Sequence, residues 1–457
     1  MANVYSLKQV WDTQFEATHY EQPVFRAFAE EKFTPDLQMG ATFNRQYASD
    51  LAVNDMGANG SYAVQDFTNS NESGIVNIKE EASIQVVEWQ KLQDHLPTQM
   101  KYTEKAANAL WLQVDANIMY GLQQGAATSI DDSVINGSGG TTGKPVTLSI
   151  VNIQSLFTAA IQQMQLLNVM YEPNKTLGKD VKLEDISNSL VAAISPQVYN
   201  LLIQYIGGKN TVLGDNINRN GHVGMFMGFN LFVSNQLTWE GVLALGTNPA
   251  DGDTITLLNG VSVNGTSQAI TLTFKSTLGT TAGNIKICST AAKTVTNLVN
   301  ALKAPYTAIT EGSDAGFAPF VTTSMTTWQR KFLKNCKPVQ TAVATLGGTS
   351  NAAGTYLDLF MAGQGMVPVT VSMTTAANAW GYQSQHNILA TSKSVSLLMQ
   401  KDPHIYVNPV SGAVARDLVC WNLYGYKVFL DQSYQIVDAK IDCSSFGALG
   451  TAVKTFN

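Results

Sequence analysis

The sequence predicts an α+β chain of more than one domain, with long elements that reach away from a packed core. Three observations predict it: a sustained apolar/polar alternation near residue 80, one long apolar stripe at helical spacing after Pro97, and a small module near residue 260 punctuated by Asn-Gly pairs.

The alternation comes first. Val76, Ile78, Ala82, Ile84 and Val86 fall on one face, and Asn77, Lys79, Glu81, Ser83 and Gln85 on the other. A period of two over this length is an extended strand with one wet face, and only Glu80 breaks its apolar row. Residues 69–74 (Asn-Ser-Asn-Glu-Ser-Gly) read as a turn and residues 62–68 as a weaker partner strand, so that 62–89 form a long hairpin. Its edges have few local partners, a liability in a lone subunit. Deleting 62–88 is therefore expected to damage assembly more than subunit folding. Upstream, residues 1–45 show little periodicity and read as an arm that orders against neighbours, with a short helix near 24–31.

After Pro97 the period becomes helical. Met100, Ala107, Leu110, Trp111, Val114, Ile118 and Leu122 recur at spacings of three, four and seven, and the stripe ends near Gly125. Pro97 suits a first turn, and about 28 residues at ~1.5 Å rise make a rod of about 40 Å. Residues 131–144 read as a Gly/Ser/Thr loop. A second helix spans 153–168, burying Leu156, Phe157, Ala160, Ile161, Met164 and Leu167. Residues 190–194 read as a buried strand, Ser195-Pro196 as a helix cap, and 197–206 as a helix stopping at Gly207-Gly208.

Residues 246–310 read as an inserted β-rich module with its own small core. Asp251-Gly-Asp253, Asn259-Gly260 and Asn264-Gly265 separate short strands carrying Ile255, Leu257, Val261, Val263, Ile270, Leu272 and Phe274. A helix follows with Val295, Leu298, Val299 and Leu302 on one side, and residues 311–375 return the chain to its parent domain. The last segment predicts a helix over 386–400 ending at Asp402-Pro403, then strands over 418–430 and 434–442 joined by a tight turn at 431–433.

A chain of 457 residues accommodates two or three domains of roughly 100–200 residues. Hydrophobic residues make up 45% and charged residues 14%, leaving a surface of Asn, Gln, Ser, Thr and Gly. That surface suits broad subunit contacts better than a freely soluble enzyme. The formal charge of −6 argues against a tight nucleic-acid reader, which needs clustered Lys and Arg. No basic stretch precedes an apolar one at the N-terminus, so no signal peptide is expected, and no run approaches the ~18 apolar residues of a membrane span. Cys288, Cys336, Cys420 and Cys443 lack CxxC spacing and read as buried free thiols in a reducing cytoplasm.

Chemical motifs fail one by one. His19, His95, His222, His386 and His404 never sit one helical turn apart around a Glu, as a zinc protease requires. Gly143-Lys144 has Ser138 where a phosphate loop needs Gly and Pro145 where it needs a hydroxyl. Gly363-Gln-Gly365 starts like a dinucleotide fingerprint and ends in Met-Val-Pro368; no GxSxG occurs. Asp131-Asp132 and Asp251/Asp253 read as turn residues. Asn71, Asn136, Asn174 and Asn264 match the glycosylation pattern, which means little without a secretory signal. No catalytic, cofactor-binding or metal residue is assigned; no cofactor and no enzymatic activity are expected.

What remains is the order of several moderate motifs. Asn422-Leu-Tyr-Gly-Tyr-Lys-Val-Phe-Leu-Asp431, followed by Gln435-Ile-Val-Asp-Ala-Lys-Ile-Asp442, resembles the closing strands of tailed-bacteriophage major capsid (coat) proteins. So does the middle: Ile194-Ser-Pro-Gln-Val-Tyr-Asn-Leu-Leu201, Asn220-Gly-His-Val-Gly224 and Met227-Gly-Phe-Asn-Leu-Phe-Val-Ser-Asn-Gln-Leu237. The predicted 386–400 helix leading into Asp402-Pro403 fits the same pattern. The resemblance covers most of the chain outside 246–310. It implies a Hong Kong 97-like α+β capsid fold: an N-terminal arm over 1–45, an extended E-loop hairpin over 46–93, a spine helix over 97–125, peripheral and axial segments over 126–245 and 311–457, and the inserted module over 246–310.

The resemblance further implies no enzyme and an icosahedral head shell enclosing a double-stranded DNA genome. The implied partners are copies of itself in hexamers and pentamers, a scaffolding protein, a portal protein, a decoration protein and packaged DNA held non-specifically, with no membrane. The place of action would be the virion, assembled in the host cytoplasm. The arm starts almost at Met1, so the scaffolding protein is expected to be a separate chain. Some relatives crosslink Lys to Asn between subunits; Lys79 lies on the hairpin but carries no such assignment. An encapsulin-like compartment shares the implied fold and is the alternative; a secreted adhesin or surface-layer protein would need an export signal.

Overall fold

The computed structural model describes residues 23–30, 42–48, 53–56, 64, 69–87, 98–169, 189–209, 223–263, 265–308, 316–341, 345–346, 349–350, 355–363, 367–375, 378–410 and 414–443. In chain order the first half comprises β1 (Ala29–Glu30), β2 (Thr42–Ala48), β3 (Asn69–Ile75), β4 (Ile78–Val87), α1 (Thr98–Gly125), β5 (Thr128–Ile130), α2 (Asp132–Asn136), α3 (Ile153–Leu166), β6 (Leu190–Ile194), α4 (Pro196–Gly207), β7 (Met225–Phe226), β8 (Phe229–Val233) and β9 (Trp239–Leu245). Then follow β10 (Thr254–Leu257), β11 (Ser262–Val263), β12 (Thr266–Ser267), β13 (Ile270–Lys275), β14 (Asn284–Lys286), α5 (Ala291–Lys303), α6 (Thr327–Asn335), β15 (Cys336–Thr341), β16 (Thr345–Leu346), β17 (Thr349–Ser350), β18 (Tyr356–Met361) and β19 (Val369–Ser372). The chain closes with β20 (Asn378–Thr391), β21 (Val395–Pro409), β22 (Ala415–Lys427), α7 (Leu430–Ser433) and β23 (Ile436–Asp442).

The 14-residue β20 is the rail of the largest sheet. One of its edges pairs first with β9 and then with β6, while the other pairs with β23 from Ser384 to Ala390. The sheet continues outward through β18 and β15 on one side and β8 and β7 on the other. Helices α3 and α4 cover one region of it, burying Leu156, Phe157, Val198 and Leu202 against Ala192, Phe229, Val437 and Ile441. Val114, Ile118, Met119 and Leu122 of α1 pack on Val191, Ile388, Leu397 and Tyr424. The stripe read after Pro97 is thus the buried face of a helix of 28 residues. Ser195 caps α4 through Val198 N–H, with Pro196 in the first turn, as its sequence predicts.

Several expectations are corrected. Residues 386–400 are not a helix: they form the end of β20 and the start of β21, separated by a turn in which Lys393 takes φ 67°. Both strands are buried on both faces there, so burial imposes no two-residue period by which to tell a strand from a helix. Residues 69–74 are not a turn but most of β3, which pairs antiparallel with β2 from Thr42–Ile75 to Ala48–Asn69. Its Gly74 is where the Phe43 ring lies, at 2.1 Å from any Cβ built there, so a polar, Gly-bearing strand is selected by backbone pairing and close approach, not by apolar alternation. The partner expected over 62–68 lies outside the described residues except Val64.

Consequently β4 does not belong to a free hairpin: it pairs along Ile78–Val87 with β22 in a sheet of order β1-β21-β22-β4. Gly425 lets β22 pass the β3–β4 junction, since a Cβ there would meet the Ile75 carbonyl oxygen at 2.3 Å. The loop expected over 131–144 contains the short α2 and a 3-10 turn at Gly137–Gly139. The short helix expected near 24–31 is a 3-10 turn at Phe25–Ala27 followed by β1, which adds to β21. The two closing strands are not one hairpin, because β22 and β23 lie in different sheets, with α7 between them.

The module around residue 260 forms its own sheet, β14-β13-β10-β19, but takes its fourth strand from Val369–Ser372. Its core is not private: Leu257, Phe274, Leu298 and Leu302 pack in one cluster with Trp239, Leu243, Phe332 and Leu359 of the surrounding fold.

Candidate functional site

The strongest concentration of chemistry-bearing side chains lies in the middle of the large sheet. His386 on β20 is wholly buried. Its Nδ1 lies 2.8 Å from Asp438 Oδ2 on β23, and its Nε2 3.1 Å from Glu240 Oε2 on β9. Ser384 Oγ donates to Glu240 at 2.9 Å, and Lys440 Nζ stands 3.3 Å from the same oxygen. Burial alone would push the imidazole toward neutrality, but the Asp438 and Glu240 carboxylates override it and hold its pKa at about 9. Burial likewise opposes ionisation of Glu240, yet His386 and Lys440 bring it down to about 2. Asp358 on β18 is raised, first by burial and then by the Glu240 charge, while the Thr341 hydroxyl hydrogen-bonds it.

A serine, an imidazole and two carboxylates in contact are the parts of an acid–base catalyst. Here both imidazole nitrogens are occupied by carboxylates, and the ring has no exposed surface for a substrate. The cluster is an ion-pair junction stitching β9, β20 and β23. Sequence reading treated His386 only as one of five histidines without ligand spacing. The signal that could have found it was a titratable residue set inside each of three largely buried strands: Glu240, His386 and Asp438.

Glu80, which breaks the β4 apolar row, is the centre of a second junction. It is buried and accepts from Asn117 Nδ2 and from Tyr424 O–H, both at 3.2 Å, with Lys334 Nζ at 3.5 Å. It therefore ties β4 to α1, β22 and α6. A third junction anchors the β2/β3 ribbon: Arg45 bridges Asp431 at 2.6 Å, Tyr47 O–H donates to Asp431 at 2.8 Å, and Phe43 meets Phe429 edge-on at 5.6 Å. Burial, then Asp431, raises the Tyr47 pKa. Between β2 and β3 in the chain, Val53 is 100% exposed and Met56 71% exposed, with exposed Asn54 and Asp55 between them.

The other residues singled out by sequence have structural places. Asp131 caps α2 and accepts from Gly143 N–H at 2.6 Å; burial works against its ionisation, but that bond and those from Ser133 and Val134 hold its carboxyl below the usual range. Asp132 accepts from Asn136 and Thr141, Asp251 from Ser276, and Asp253 from Ala250 and Thr374. The four cysteines are buried free thiols, as expected. His19, His95 and His222 lie outside the described residues; His404 sits exposed on β21. No described helix is long and apolar enough to cross a membrane.

These features define an α+β fold with a buried, charge-stitched body and a β2/β3 ribbon held to it through Asp431 and Phe429. The comparisons with known proteins give its fold class, which is that of a solved phage structure. A solved structure titled "Mycobacterium phage Che8" matches at a TM-score of 0.52 and 9% identity, covering 96% of this chain and 98% of that one. Two further structures, the "Cyanophage Pam1 capsid asymmetric unit" and the "Capsid structure of the Cyanophage P-SCSP1u", give TM-scores of 0.48 and 0.47 at 8% and 10% identity. The former covers 96% of this chain and 97% of that chain, the latter 95% and 93%. No family model and no curated protein matches the sequence.

Proposed function

We propose that this chain is the major capsid protein of a tailed double-stranded DNA bacteriophage, building the icosahedral head by self-assembly into hexamers and pentamers. The observation that carries the reading is the end-to-end likeness to a phage structure, 96% of one chain on 98% of the other. A second feature supports it: Val53 and Met56, which lie between β2 and β3 in the chain, are large apolar side chains left exposed. In this reading residues 1–45 are the N-terminal arm, 46–93 the extended loop, 97–125 the spine, 246–310 an outward-facing inserted module, and the remainder the peripheral and axial domains. A scaffolding protein, a portal, a decoration protein and DNA are the partners, the virion is the place of action with assembly in the host cytoplasm, and no step of catalysis is assigned.

The test is negative-stain microscopy and sedimentation of the expressed chain, with and without its scaffolding partner. Closed shells are expected. A chain that stays monomeric under both conditions ends the proposal, and native particles filled with an enzyme instead of DNA replace it with an encapsulin-like compartment.

A further inference from the structure

Charge is unevenly placed along this chain. Between Asp253 and Asp358 the sequence carries eight Lys and Arg against two carboxylates, Glu311 and Asp314, whereas the remaining residues carry 20 against 32. A chain of formal charge −6 thus holds a segment of +6 within a remainder of −12. Such asymmetry points to an anionic partner for the basic segment. Four of its cations, Arg330, Lys331, Lys334 and Lys337, crowd into the end of α6 and the start of β15.

A cleft of about 670 Å³ opens beside them, where α5 ends, α6 turns into β15 and Tyr120 of α1 closes one side. Lys303, Lys334 and Lys337 line it together with Tyr120 and Tyr306, and no Asp or Glu is among its lining residues. Lys334 stands 3.5 Å from Glu80 but keeps 53% of its side chain exposed. Burial raises the Tyr306 hydroxyl pKa and Arg330 pulls it back, so that guanidinium lies at the same rim. Cations gathered round one recess repel one another, and an anion held between them relieves the repulsion.

Shape and donor type decide which anion fits. A recess of this volume takes a small ligand, whereas duplex DNA needs an extended basic stripe. Several ammonium groups beside a guanidinium match adjacent phosphates better than a single carboxylate. Tyr306 leaves 39% of its surface open at the cleft, and an aromatic side chain next to phosphate donors suits a base.

We infer that the cleft is a binding site for a small ligand with several adjacent phosphates, of the nucleoside triphosphate class. Lys303, Lys334 and Lys337 hold the phosphates, Arg330 donates from the rim, and Tyr306 meets the base. The lining residues come from α1, from α5 and from the α6–β15 junction, so the ligand ties the inserted module to the long helix α1. The site lies within one subunit and does not depend on the capsid reading.

The test is titration calorimetry and thermal unfolding of the full chain with metal-free ATP and with inorganic tripolyphosphate. One ATP per chain is expected, with the thermal midpoint raised by about 3 °C or more near saturation. Tripolyphosphate, which lacks a base, should bind about tenfold more weakly. Lys303→Ala and Lys337→Ala should each weaken both ligands about tenfold, while Lys105→Ala and Lys401→Ala, at exposed lysines elsewhere, should change neither. An equal loss in those two controls, or an equal response to sulfate at matched ionic strength, overturns the site. Oligoglutamate binding as tightly as tripolyphosphate overturns the phosphate assignment, and duplex DNA binding where ATP does not overturns the small ligand. Shell formation is scored on the same preparations, so failure of the capsid reading shows as absent shells whatever the result with ATP.

Discussion

At the centre of the large sheet, His386 has no exposed surface and its charge is met by Asp438 and Glu240 of the same chain. Between β2 and β3 in the chain, Val53 is wholly exposed, whereas the ribbon itself is held by Asp431 through Arg45 and Tyr47. The first region is satisfied within one polypeptide; the second leaves apolar side chains in solvent, and the proposed self-assembly would cover them. Stability of the subunit is thus expected to depend on the buried junctions, and assembly on the ribbon, with little crossover between them.

Breaking the first region has the largest expected effect on folding. His386→Ala leaves Glu240 and Asp438 buried without their shared cation, which should cost about 3–5 kcal/mol, read as a lower denaturation midpoint. The wild-type pH profile follows from the same pair. His386 is raised to about 9, so its contribution is complete below its ordinary value and fades as pH climbs through about 9. Glu240 is lowered to about 2, so its contribution is complete above its ordinary value and fades as pH falls through about 2. Denaturant midpoints measured across pH should therefore be highest, for these groups, between about 4.5 and 6.5, and His386→Ala should flatten the alkaline limb. An unchanged alkaline limb would contradict the assignment.

Smaller steps sharpen the contrast. Glu80→Ala leaves the Asn117 amide and the Tyr424 hydroxyl without their acceptor and should cost about 1–3 kcal/mol, detected as a drop in thermal midpoint. Ser195→Ala removes the α4 cap and should cost about 1 kcal/mol; Ser195→Asp should recover most of it. Replacing residues 49–68 by a short Gly-Ser turn should move stability by no more than about 0.5 kcal/mol, yet abolish shells in microscopy. That deletion replaces the 62–88 cut suggested by sequence, because β4 is part of the folded sheet and cutting it would unfold what the test must leave intact.

Regular elements with one buried face were legible beforehand: the α1 stripe, the alternating β4, the Ser195-Pro196 cap and the Asn-Gly module. Each writes its burial into a local period or a turn residue. Three kinds of feature were not. The β20–β21 run is buried on both faces and has no period. The strand β3, Asn-Ser-Asn-Glu-Ser-Gly-Ile, looks like a turn because its pairing with β2 uses backbone groups. The His386 junction joins residues 52 and 146 positions apart, and the cleft at Lys303 and Lys337 joins a helix end to a strand start.

The sequence by itself determined where amphipathic helices and one-sided strands begin and end, and that no catalytic motif is present in ordered spacing, because hydrophobic period and turn chemistry act over a few residues. Only the tertiary structure decided which strands pair, which charges neutralise each other and which surface is left uncovered. Those outcomes depend on distances between residues far apart in the chain, and electrostatic pairing and close approach have no local signature.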